Sequence, residues 1–185
     1  MAKQKVILIV AVATVVVLAV CSALIIPGML RKGKYDTATR LLESGAYSQS
    51  VVVWAELGNY QDSEMNLQYA LMQEALDNAA YETALSHAGN LAAFRDAETY
   101  AAYAKGMLAL DAEDYDEAAK CLAEAGSVRD AQKSLALAGE KREERRYAEA
   151  EGYRIKGEWL AAHALYLEMP EYKDSATLAG ECYGN

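Results

Sequence analysis

Apolar and polar residues are distributed along this chain in two different ways. From Val6 to Ile26, 21 residues pass without a charge, and only Thr14, Cys21 and Ser22 carry a hydroxyl or thiol. At about 1.5 Å per residue a helix of that length reaches roughly 30 Å, the thickness of a bilayer core. Beyond it the apolar positions become periodic. Tyr47, Tyr81, Tyr115 and Trp159 each open a run in which the third residue on is small (Ser50, Ala84, Ala118, Ala162). The seventh is Trp54, Ala88, Leu122 or Tyr166, and the tenth is Leu57, Leu91, Ala125 or Met169. Steps of 3, 4 and 3 follow one face of a helix.

A second helical stripe precedes each of these aromatics. Twelve residues upstream stands a tyrosine (Tyr35, Tyr69, Tyr103, Tyr147). A mostly small position follows (Ala38, Met72, Gly106, Ala150), then Leu42, Leu76, Leu110 or Arg154. Downstream come an apolar plug (Tyr60, Phe94, Val128, Tyr172), a polar residue (Gln61, Arg95, Arg129, Lys173) and an aspartate (Asp62, Asp96, Asp130, Asp174). Each aspartate is expected to be the N-cap of the next helix, its carboxylate accepting from the free backbone N–H groups of the first turn. An acid repeated in every unit performs a structural task in every unit, not a catalytic one.

The spacing predicts four helix–turn–helix units, about 35–63, 69–97, 103–131 and 147–175, closed by a short capping helix after Asp174. Neither helix of a unit can bury its stripe alone, so the units are expected to stack. Three aromatics are spaced by 34 and the last by 44. The ten extra residues lie between Leu135 and Arg146. They either lengthen one helix by nearly three turns or add a short helix broken at Gly139. The mixed charges of Glu140 to Arg146, at spacings such as Lys141–Glu144 and Glu143–Arg146, read as a solvated face, with a docking site as the alternative.

Charge and composition narrow the function. All 27 acidic residues lie beyond Ile26, against 16 of the 18 basic ones, so the repeat region carries about −11. That excludes nucleic acid, whose binding needs a basic face. Three cysteines, Cys21, Cys121 and Cys182, show neither a zinc spacing nor a disulfide pattern, and Cys121 reads as a small core residue. His87 and His163 sit on helices beside the apolar stripe, with no nucleophile or second ligand at a suggestive spacing. No catalytic, cofactor-binding or metal residue is assigned, and the chain is not expected to be an enzyme.

These units resemble tetratricopeptide repeats. Asp114, Tyr115, Asp116, Glu117 and Ala118, followed by Leu122 and Ala125, read like that family's second helix, and the match covers about 35–185. The family's first-helix pattern of Trp, Leu-Gly and Tyr is absent in that form, with Gly106 the one position that keeps the glycine, and the closing proline is replaced by aspartate. The endings Tyr60 to Ser63 and Tyr172 to Ser175 are similar to divergent repeats on membrane-anchored bacterial proteins; a Sel1-like array is a related alternative. The resemblance implies an all-α solenoid that binds a peptide or protein on its concave face and catalyses nothing. The upstream tyrosines and leucines are displaced by the same one residue relative to the family, so both sets are expected in the core.

The N-terminus completes the expectation: a tail (1–5), a transmembrane helix (6–26) stopped by Pro27-Gly28, and a juxtamembrane linker (27–34). The apolar run exceeds a signal-peptide core, which favours an uncleaved anchor over cleavage after Ala23 or a lipoprotein cut before Cys21. Lys3 and Lys5 precede the segment and Arg31, Lys32 and Lys34 follow it, so the charge rule is nearly balanced. The signal-anchor layout puts the tail inside and the repeats outside. The partners expected are therefore the bilayer, through residues 6–26, and a protein or peptide. The function expected is a membrane-anchored interaction scaffold; the alternative is a structural subunit of a permanent membrane-associated complex.

Overall fold

The computed structural model describes the backbone of residues 2–184 and the side chains of residues 14, 16, 20 and 26–184. Among the described residues there are nine helices and no strand: α1 (Ala2–Glu43), α2 (Tyr47–Leu57), α3 (Ser63–Asp77), α4 (Tyr81–Ala88), α5 (Ala97–Asp111), α6 (Tyr115–Ala125), α7 (Ala131–Lys156), α8 (Trp159–Leu167) and α9 (Ser175–Tyr183). They follow one another along the chain from α1 to α8, and α9 closes the series. Each helix packs against its neighbours in sequence, and α5 also touches α7.

The repeated small residues allow this packing. Ser50, Ala84, Ala118 and Ala162 are all buried, as are Ser63, Ala97, Ala131 and Ser175 at the start of each following helix. At Gly106 the approach is closest: an added Cβ would lie 2.6 Å from Cγ of Leu122. Trp54, Leu122 and Tyr166 are completely buried at the seventh position, while Ala88 is half-buried. Of the upstream tyrosines, Tyr69 and Tyr103 are in the core; Tyr35 and Tyr147 are half-buried against it.

The turn inside each unit is built the same way four times. Ala46, Ala80, Asp114 and Glu158 donate their backbone N–H to the carbonyls of Leu41, Ala75, Ala109 and Tyr153, at 2.8–2.9 Å. The residue before each, Gly45, Ala79, Glu113 or Gly157, has φ between 53° and 78°. This six-to-one bond with a left-handed residue satisfies the last free carbonyls of the helix. Glycine supplies that conformation freely in the first and fourth units, whereas Ala79 and Glu113 adopt it against their Cβ.

One expectation needs correction. Pro27-Gly28 does not end the first helix, and residues 27–34 are not a separate linker: α1 runs unbroken from Ala2 to Glu43. Proline removes a single backbone donor, and the turns beyond it are reinforced by Thr37, whose hydroxyl donates to the Gly33 carbonyl, and by the Lys32–Asp36 pair. Of the two outcomes open to the ten extra residues, the longer helix is the one formed: α7 continues through Gly139 for 26 residues. It joins two cores, contributing Ala131 and Ala138 to the first and Ala150 to the second. The proposed membrane span falls on residues 6–26, most of whose side chains lie outside the described ones. Among the described residues no helix is long and apolar enough to cross a membrane.

Candidate interaction surface

The four aspartates stand at the N-cap positions, but their carboxylates do not cap. Asp62, Asp96, Asp130 and Asp174 have ψ between 18° and 24°, and none makes a side-chain cap bond. Capping needs the extended conformation, which turns the side chain back over the first turn. Each carboxylate instead accepts from the upstream tyrosine of its own unit. Tyr35, Tyr69 and Tyr103 donate to Asp62, Asp96 and Asp130 at 2.5 Å, and Tyr147 donates to Asp174 at 2.6 Å. Every unit thus ties its first helix to the loop that launches the next. A neutral phenol facing a carboxylate holds its proton strongly. The hydrogen bond to Asp62 raises Tyr35 to about 12, and that to Asp174 does the same for Tyr147. Burial first, then the hydrogen bond, raises Tyr69 and Tyr103 further.

The residue before each aspartate is also repeated in conformation. Gln61, Arg95, Arg129 and Lys173 all have φ near 50°. In two of the units the side chain lies back over the unit's aromatics. Arg95 lies 5.4 Å from the Tyr69 ring and 5.5 Å from Phe94, and donates to Asn66 at 3.0 Å. Lys173 stands 4.5 Å from Tyr147 and 4.9 Å from Tyr172.

Arg129 departs from this pattern. It stretches back to α3, pairing with Asp77 at 2.9 Å and donating to the side chain and backbone carbonyls of Gln73 at 3.0 and 3.3 Å. Its guanidinium lies 5.9 Å from the Tyr100 ring. Tyr47 and Tyr81 lie within its electrostatic reach, and burial raises the pKa of both. Tyr81 in turn meets Tyr103 edge-on at 6.2 Å. Half-buried Tyr47, Tyr81 and Tyr100, with Asp77 and Arg129, therefore form one aromatic and charged face drawn from three units. Tyr47 and Tyr81 were visible in the sequence as aromatics that open the repeated runs; Tyr100 was not, because Asn66, Ser134 and Leu178 occupy its place in the other units. Nothing in the pattern showed that Arg129 would reach back to the second unit.

The charged run 140–146 is not simply solvated. Its arginines pair with neighbouring helices: Arg146 with Asp116 of α6 at 3.6 Å and Glu168 at 3.0 Å, and Arg142 with Asp116 at 3.6 Å. Arg145 donates to the Glu113 carbonyl at 2.9 Å and covers the Tyr115 ring at 5.1 Å. Of the two spacings singled out, Lys141–Glu144 forms at 2.9 Å, while Arg146 is engaged with Asp116 and Glu168 instead of Glu143. The extra turns thus place arginines that pair with both the third and the fourth unit across half-exposed surface.

The remaining chemistry-bearing residues are internally occupied. His87 Nδ1 meets the Gln68 side-chain carbonyl at 2.8 Å, and His163 Nδ1 donates to the Ala179 carbonyl at 2.7 Å. Cys121 and Cys182 are buried free thiols, and burial raises the pKa of both. Among the described residues no group of three or more His, Cys, Asp or Glu is placed to hold a metal ion. Compared with models of known protein families, with curated proteins and with solved structures, the chain matches none.

Proposed function

We propose that this chain is a membrane-anchored interaction scaffold: a tetratricopeptide-like solenoid that binds a peptide or protein and performs no catalysis. The convergence of Tyr47, Tyr81, Tyr100, Asp77 and Arg129 on one face carries this reading. Tyr47 of the first unit lies within electrostatic reach of Tyr100 and Arg129 of the third, a closeness that suits the inner side of a curved stack. Tyrosine and arginine are also the side chains that interfaces concentrate, because they offer large contact area with hydrogen-bonding capacity. A face of this polarity suits exchangeable peptide binding better than the permanent apolar contact of an assembly subunit. The uncharged run Val6 to Ile26, and the continuous helix α1 that carries it into the first unit, support the anchor. Because that helix is unbroken, the array would work close to the bilayer, with the repeats outside.

The test is a capture experiment from native membrane extract with the full chain and with Tyr47→Ser/Tyr100→Ser. Proteins retained by the parent and lost by the variant are expected. Identical capture profiles would remove this face from the function. Protease added to intact cells tests the topology; repeats protected until the membrane is permeabilised would place them inside.

A further inference from the structure

We infer that the aromatic face holds one open subsite, formed by the Tyr81 ring, the Asp111 carboxylate and the Ala79 carbonyl, for an arginine side chain of the bound peptide; this deepens the scaffold reading and rests on it. The place recurs with the repeat. The fifteenth residue of α3, α5 and α7 is Asp77, Asp111 and Arg145, in each case 30 positions after Tyr47, Tyr81 and Tyr115. Stacking of successive helices brings each such pair together. Tyr47 and Asp77 line one cleft of about 310 Å³. Asp111, the last residue of α5, lies within electrostatic reach of Tyr81, the first residue of α4, on which α5 packs.

At two of the three places the chain supplies a guanidinium itself. Beside Tyr115, Arg145 covers the ring at 5.1 Å and donates to the Glu113 carbonyl at 2.9 Å. Beside Tyr47, Arg129 pairs with Asp77 at 2.9 Å and lies within electrostatic reach of the phenol. Beside Tyr81 the acceptors stand without a cation of their own. Ala79 is the register equivalent of Glu113, and exposed Asp111 has no ion-pair or hydrogen-bond partner among the described residues. Arg129 is within reach of Tyr81 too, but its ion pair and hydrogen bonds go to Asp77 and Gln73. Lys173 holds the place of Arg129 in the fourth unit. The ten extra residues of α7 separate it from Asp111, and its ammonium stands 4.5 Å from Tyr147 and 4.9 Å from Tyr172 instead.

Charge and shape specify the occupant. Asp111 and Asp130 both bear on the half-buried Tyr81, and Tyr103, which Tyr81 meets edge-on at 6.2 Å, donates to Asp130 at 2.5 Å. A cation is attracted to the ring face and to the carboxylate together. A guanidinium suits the place better than an ammonium. Being flat, it stacks on the phenol while its fork of donors reaches a carboxylate and a backbone carbonyl. Arg145 makes the ring and carbonyl contacts at its own place, and Arg129 makes the carboxylate contact at the other. An arginine of a bound peptide would make all three at Tyr81.

The test uses the full chain in uncharged detergent micelles and a short glycine peptide with one central arginine and an uncharged fluorophore, followed by anisotropy. The same peptide is made with lysine and with citrulline, the neutral isostere of arginine. Affinity is expected to be about tenfold weaker for citrulline, and about tenfold weaker for the arginine peptide in Asp111→Asn. The lysine peptide should fall between. Glu64→Gln, the same charge change on an exposed residue of α3, should have no effect. Asp111→Arg should cover Tyr81 from within, as Arg145 covers Tyr115, and abolish binding. Asp111 ends α5, where losing a negative charge relieves the helix dipole, so both variants fold, which circular dichroism checks. No binding of the arginine peptide, equal affinity for lysine or citrulline, or no effect of Asp111→Asn overturns the subsite. Self-association of the peptide-free chain abolished by Asp111→Asn would assign the place to a second copy and also refute the proposal. Capture from membrane extract separates the two readings. Partners lost with Tyr47→Ser/Tyr100→Ser but kept with Asp111→Asn leave the scaffold and refute the subsite, whereas partners kept with both refute the scaffold itself.

Discussion

Tyr69→Phe and Asp96→Ala, made singly and together, separate two physical accounts of the repeated aspartate. Tyr69→Phe removes one oxygen and leaves the ring, 8% exposed, in its place among Phe94 and Tyr100. The bond lost is charge-assisted and 2.5 Å long. Such bonds contribute about 1.5–3 kcal/mol net. Asp96 is exposed and regains water when the phenol leaves, so the lower end, about 1.5 kcal/mol, applies. Asp96→Ala loses the same bond and also a negative charge at the positive end of α5, about 0.3–1 kcal/mol more. In the Tyr69→Phe background only that dipole contribution remains. The coupling energy from urea melts followed by circular dichroism should therefore be about 1–1.5 kcal/mol. A side-chain N-cap would behave differently: Asp96→Ala would cost about 0.5–2 kcal/mol whatever stands at position 69. Additivity within about 0.5 kcal/mol would refute the tyrosine clamp.

Gly106→Ala should destabilise by about 1–3 kcal/mol, because its Cβ would be forced onto Leu122, while Gly139→Ala, in open space within α7, should stabilise by about 0.5–1 kcal/mol; melts of both variants check the pair. Alkali should unfold the array in a defined window. Tyr35 and Tyr147 are raised from 10 to about 12 in the folded chain, so their contribution is complete below pH 10 and is lost as pH rises from 10 to 12; absorbance titration should show these phenols ionising late, and a normal tyrosine titration would contradict the clamps. Gly157→Ala should cost about 1 kcal/mol, since that residue closes the turn at φ 78°; a neutral result in thermal melts would count against the left-handed turn.

The sequence by itself determined the all-helical class, the recurrence of the helices and the buried stripes, though not the end of α1, which runs on through Pro27 to Glu43. Those depend on local signals: a period near 3.6, small residues at helix crossings, and a fixed spacing of aromatics and aspartates. It also located the ten-residue insertion and limited it to two outcomes, of which α7 realises the longer helix. Tertiary structure decided what the repeated polar groups do. The spacing of 27 residues between each tyrosine and its aspartate was visible, yet no local rule says that two such groups meet; the loop ψ near 20° aims the carboxylate at the phenol and away from the helix end. Long-range partners were equally hidden. Arg129 reaches Asp77 and Gln73 because stacking brings α3 beneath its loop, and Arg146 reaches Asp116 and Glu168 because α7 passes both units. A charged side chain in sequence carries its reach but not its destination, since that depends on how successive helices are oriented.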